Sequence, residues 1–259
     1  MRDSRREPIF NIPAVVLALL ASMTFIHIGR LLTSPETDLR LLATFGFVPA
    51  RFGFLLDQRA VLEHLTKIAN ASEFEGQLGE FFLTFAPPSK LWFTPLSYAF
   101  LHGDWTHLIF NGVWLAAFGS PVARRFGVSR FLLLGALGAV IGAFFFLAFH
   151  IAELAPMIGA SAAVSGYMGA ASRFVFQPGA FFRSPISVAG EPPLASLPEL
   201  MANRQTLAFV GFWFVSNLLI GLGGPGFGLS SGPIAWEAHI GGFMAGLLLA
   251  PLFDQRRNA

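Results

Sequence analysis

The chain has 259 residues, of which 54% are hydrophobic and only 12% charged, with a mean hydropathy of +0.62. That composition excludes an ordinary water-soluble domain and marks a membrane protein, and the absence of cysteine excludes disulfides and thiolate metal sites. The isoelectric point near 9.5 comes mostly from arginine. No basic stretch interleaved with aromatics accompanies it, so the arginines bear on membrane topology and nucleic acid is not an expected partner.

Six apolar stretches are predicted to cross the bilayer, at about residues 11–29, 106–121, 131–151, 157–176, 206–224 and 236–253. The first follows Arg2, Arg5 and Arg6 as a signal peptide would, but its apolar run is long and lacks a clear small-residue cleavage site, so a retained anchor is expected. Several of the others fall short of the roughly 20 residues an isolated span needs, which calls for support from neighbouring helices. The expected organisation is a basic N-terminal tail at 1–10, one six-helix membrane domain at 11–253 and a basic C-terminal tail at 254–259.

With six spans, Arg2, Arg5, Arg6, Arg124, Arg125, Arg130, Arg173, Arg183, Arg204, Arg256 and Arg257 all fall on one side. The positive-inside rule makes that side, and both termini, cytoplasmic. The long segment of about residues 30–105 then faces outward. Its alternating stretch FGFVPARFGFLLDQRAVLEHL predicts amphipathic pieces lying along the membrane surface. The proline-rich stretch from Gln177 to Gln205 reads as an irregular cytoplasmic connection.

Polar side chains inside apolar spans are costly and therefore informative. His107 and Asn111 in HGDWTHLIFN are four apart and share one helix face. They could hydrogen-bond a neighbouring helix or bind an oxyanion. His102 reads as a structural histidine tethering a loop, and Asn217 as a packing hydrogen bond. In GASAAVSG, Ser161 lies among glycine and alanine where a helix begins, close to backbone N–H groups that lack helical partners. Ser165, one turn further on, is its rival. His239 opens the last span and is followed by Gly242 and Gly246, a spacing that lets two helix backbones approach closely. Glu237 is expected to be a solvated charge at the loop end, so packing rather than a carboxylate would hold the imidazole.

These residues resemble the rhomboid family of intramembrane serine proteases in three ordered motifs. HGDWTHLIFN is similar to the family's second-helix His and Asn motif, GASAAVSG to its Gly-x-Ser motif, and AHIGGFMAG to its sixth-helix motif. The resemblance implies an all-α, six-helix rhomboid-like bundle that cleaves transmembrane protein substrates within a lipid bilayer. It implies Ser161 as nucleophile and His239 as general base. His107, Asn111 and the Ser161 backbone N–H would be the oxyanion donors, with no metal and no cofactor. First-loop length and size imply a bacterial inner membrane. Three positions depart from the commonest pattern: Ala162 follows the serine where many members have glycine, Ser165 stands where some have tyrosine, and the first-loop Trp-Arg pair is absent. The competing reading is a rhomboid-like protein, inactive or weakly active, that binds transmembrane helices; loss of Ser161 or His239 would be its signature, and both residues are present.

Overall fold

The computed structural model describes residues 12–177, 193–223 and 235–254. Arg2, Arg5, Arg6, Arg183, Arg256 and Arg257, both basic tails apart from Asp254, and most of the proline-rich connection lie outside the described residues. Helices account for nearly all of the described regular structure. α1 (Ala14–Leu31) leads into α2 (Pro35–Phe45), α3 (Pro49–Leu56), α4 (Gln58–Ala71) and α5 (Glu73–Thr84).

The α2–α5 segment starts its helices with local signals. Ser34, Asp57 and Ser72 accept the backbone N–H groups of Thr37, Ala60 and Glu75 at the starts of α2, α4 and α5, satisfying donors that have no helical partner. The segment is more than the row of surface pieces expected from its pattern. Ala43, Val48, Val61 and Phe82 form a small core with Leu154, built around Arg51, which is only 1% exposed. Arg51 donates from Nε to the Phe82 carbonyl and from Nη1 to the Ala43 carbonyl, both at 2.6 Å. Both carbonyls lie in the last turn of their helices, where acceptors lack helical partners and carry partial negative charge, so a guanidinium joins the two ends.

The remaining helices are α6 (Thr94–Ser97), α7 (Trp105–Trp114), α8 (Ser120–Phe126), α9 (Val128–Phe149), α10 (Ser161–Ser172), α11 (Leu197–Ala202), α12 (Arg204–Gly223) and α13 (Trp236–Phe253). A π-helical turn at Leu115–Gly119 joins α7 to α8, so the stretch expected at 106–121 extends to Phe126. By length and composition, α1, α9 and α13 are each able to cross a membrane. α10 has only 12 residues and is shorter than the span expected at 157–176. Its approach is extended: Met157 pairs with Phe47 in an antiparallel bridge, and Gly159 takes φ +119°, a conformation that side-chain-bearing residues rarely adopt.

α10 is held between α9 and α13 by backbone contact. A Cβ at Gly246 would lie 1.7 Å from the Gly166 carbonyl, one at Gly242 2.0 Å from that of Ala162, and one at Gly169 2.1 Å from that of Phe243. Glycine at these positions lets the helix backbones meet directly, the packing mode of membrane helices. The bundle has two distinct ends. At one, Arg125 on α8 pairs with Asp254 after α13 at 2.6 Å, and Arg173 after α10 donates to the Leu247 carbonyl. At the other lie the starts of α10 and α13 and the end of α9.

Candidate active site

Ser161 is the first residue of α10 and His239 lies in the first turn of α13. The glycine contacts set these helix starts side by side. His239 Nε2 is 2.7 Å from Ser161 Oγ, and His239 Nδ1 is 2.5 Å from Asn217 Oδ1 on α12. The Asn217 amide also donates from Nδ2 to the Trp213 carbonyl at 2.8 Å. Ser165 is buried one turn further along α10; the imidazole bond goes to Ser161.

On the opposite wall, Asp104 caps α7 by accepting the His107 N–H at 2.7 Å, which orients the turn bearing His107 and Asn111. Both side chains face the backbone just before Ser161. A Cβ on Gly159 would lie 2.6 Å from His107 Nε2 and 3.8 Å from Asn111 Nδ2, so glycine is needed there for space as well as for φ. Asn111 is 5% exposed and donates from Nδ2 to the His107 carbonyl at 3.0 Å. That amide nitrogen has two hydrogens, so one remains for a second acceptor.

His102 lies in the non-helical stretch ahead of α7 and is fully buried. Its Nε2 accepts the Ala160 N–H at 3.5 Å, tethering the chain as it enters α10. Burial foremost, reinforced by the nearby His107, pushes its pKa down to about 3, which matches a ring that must be neutral to accept a hydrogen bond. The His102 carbonyl in turn accepts from Arg30 at 2.8 Å, and Arg30 is clamped by both oxygens of Asp38.

One expectation is corrected here. Glu237 is not a solvated charge: it is 7% exposed and lies 2.7 Å from His150 Nε2. Its position in the first turn of α13 faces the end of α9, and a partner 87 residues away cannot be read from local spacing. Ser161, His239, His107, Asn111, Asn217 and Trp236 all line a single cavity of about 700 Å³ between the helices. Among the described residues no group of three or more His, Cys, Asp or Glu side chains could hold a metal ion.

The described fold is that of an all-helical integral membrane protein with a mainly apolar cavity between its helices that carries a few polar side chains. Residues 89–256 match the Rhomboid domain, and the chain belongs to the rhomboid family. It is 29% identical over 164 residues to a protein named rhomboid protease GlpG from Yersinia pestis (strain Pestoides F), a match covering 63% of this chain and 49% of the relative. The protein of that name from Yersinia pseudotuberculosis serotype O:3 (strain YPIII) matches equally. The one from Serratia proteamaculans (strain 568) is 26% identical over 166 residues, covering 63% of this chain and 49% of the relative. The chain thus spans about half the length of the curated relatives it matches. The Rhomboid match begins after α5, so α2 to α5 lie outside it, while Leu154 of the small core falls within it.

Proposed function

We propose that this chain is an intramembrane serine endopeptidase that cleaves transmembrane segments of other membrane proteins. The observation that carries the reading is the 2.7 Å approach of His239 Nε2 to Ser161 Oγ within the shared cavity. A serine hydroxyl is a weak nucleophile until a base takes its proton, and a neutral imidazole suits that task. Ser161 Oγ attacks the substrate carbonyl carbon as its proton passes to His239 Nε2. The oxyanion formed accepts hydrogen bonds from the Ser161 backbone N–H, His107 Nε2–H and the second Asn111 amide hydrogen. Collapse breaks the C–N bond, and the leaving amine takes the proton from His239. Water then hydrolyses the acyl ester with the same imidazole as base.

The proposed topology has six spans: α1, α7 with α8, α9, α10, α12 and α13, forming one membrane domain over 11–253 with short tails outside it. Arg124, Arg125, Arg130, Arg173 and Arg204 would mark the cytoplasmic end, with both termini there and the α2–α5 segment outside. A helix of 12 residues reaches about 18 Å at 1.5 Å per residue, well short of the roughly 30 Å apolar core. Ser161 would therefore sit below the outer surface, where the cavity must admit water for hydrolysis. A helical substrate carbonyl is already hydrogen-bonded, so the substrate must unwind locally, which favours helix-weakening or small residues near the cut. The bacterial relatives point to an inner membrane.

Labelling by a serine-reactive fluorophosphonate and cleavage of a model transmembrane substrate in liposomes test the reading. Wild-type protein is expected to do both and Ser161→Ala neither. A folded wild-type protein that binds the substrate without cutting it would instead establish a helix-binding rhomboid-like protein. Cleavage that survived in Ser161→Ala and vanished in Ser165→Ala would move the nucleophile.

A further inference from the structure

We infer that Asn217 is the positioning residue for the general base, completing a Ser161–His239–Asn217 hydrogen-bonded chain across α10, α13 and α12. The inference rests on the reading of Ser161 and His239 as nucleophile and base. A neutral imidazole has one N–H and one bare nitrogen, and only the bare nitrogen can take a proton from serine. Which nitrogen is bare depends on the partner at the other one.

The Asn217 amide settles that choice through its own anchoring. Its Nδ2 donates to the Trp213 carbonyl at 2.8 Å, so Oδ1 is the atom turned toward His239 Nδ1 at 2.5 Å. An oxygen without hydrogen can only accept, so Nδ1 carries the N–H and Nε2 presents its lone pair to Ser161 Oγ. The anchor is itself fixed, because Trp213 stacks on Phe243 of α13 with ring centroids 4.5 Å apart. When Nε2 takes the serine proton the ring becomes cationic, and the Nδ1–H bond to Oδ1 becomes charge-assisted and stronger. Asn217 thus favours the transition state over the resting state.

The usual orienting group for such a histidine is a carboxylate, and the nearest one in sequence, Glu237, is engaged with His150. A neutral amide performs the orientation without placing a second charge in a low-dielectric site.

The test compares wild type with Asn217→Leu, which removes both bonds, and Asn217→Asp, which keeps the acceptor and loses the donor to Trp213. Asn217→Leu is expected to lower kcat and the fluorophosphonate labelling rate about 10-fold, the scale of one net hydrogen bond, with KM unchanged. Asn217→Asp should restore most of the rate even though the Trp213 bond is gone. With ¹⁵N-histidine labelling, and the His239 signal assigned by its loss in His239→Gln, wild type should show the Nδ1–H tautomer and Asn217→Leu a shift toward a mixture. Wild-type labelling by a folded Asn217→Leu, or an equal fall in Asn217→Asp and Asn217→Leu with no tautomer change, would overturn the inference. Thermal melting identifies a misfolded Leu variant, in which case the Asp variant's rate and tautomer decide. Ser161→Ala and His239→Ala run alongside: if they fail to label while Asn217→Leu labels normally, only the inference falls, whereas labelling that persists in His239→Ala removes the reading beneath it.

Discussion

The α2–α5 segment and the α9–α10–α13 core are both helical, yet they are held together by opposite means. In the α2–α5 segment a single long cation reaches between helix ends, and Arg51 bonds the carbonyls of Ala43 and Phe82. In the bundle, side chains are removed so that backbones touch, as Gly246 does against Gly166 and Gly242 against Ala162. A flexible guanidinium tolerates small displacements of the helices it joins. Backbone contact tolerates none, and it is there that Ser161 and His239 are set 2.7 Å apart. Rigid packing is thus placed where the proposed proton transfer would occur.

The sharpest way to break this contrast is to add bulk at the backbone contact. Gly246→Leu should cost more than the about 3 kcal/mol that marks the upper end of ordinary overpacking. Melting in detergent and Ser161 labelling should fall together, and a stable, fully labelled variant would refute the rigid-core account.

On the proposed mechanism, Asn111→Ala should act on the chemistry without disturbing the packing. Single-turnover cleavage should fall by roughly 10-fold to 1,000-fold, the range for one oxyanion donor, with little change in melting or substrate affinity. A destabilised protein with normal turnover would return Asn111 to a purely structural role.

In the α2–α5 segment, Arg51→Met should cost about 1–3 kcal/mol by leaving buried carbonyls unpaired. Because that core is separate from the glycine contacts, Ser161 labelling of the folded fraction should be unchanged. Labelling that fell in step with stability would show the two regions to be one cooperative unit.

The last test concerns His102, which links the two regions. Its folded pKa, about 3, lies below the ordinary histidine value near 6.5, so between those pH values the unfolded chain binds more protons. Its contribution to stability is therefore complete above about pH 6.5 and is lost progressively as pH falls toward 3. Melting followed from pH 7 to pH 4 should show a shallower acid-side decline in His102→Gln than in wild type; equal slopes would contradict the assignment.

Much of the fold and of the candidate site was legible because it depends on local pattern. Apolar run length outlined the helices, and the last helix runs over Trp236–Phe253, the range predicted for it. Ser161, His239, His107 and Asn111 stood out because polar groups in apolar helices are costly and because they fall in three recognisable motifs. The helix start at Ser161 is legible, but the apolar stretch from Met157 gives no warning that the chain enters it extended, with Gly159 at φ +119°. Nothing local singles out Arg51, because its role needs two carbonyls that meet only when α2 and α5 pack together.

By itself, then, the sequence determined that this is a helical membrane protein of the rhomboid type and which side chains are available for chemistry. Only the tertiary structure decided their partners: Asn217 with His239, 22 residues apart, and Glu237 with His150, 87 apart. Those pairings depend on how each helix is rotated about its axis and how closely it approaches its neighbour. Both are set by contacts between helices, such as glycine against carbonyl, that no single segment contains.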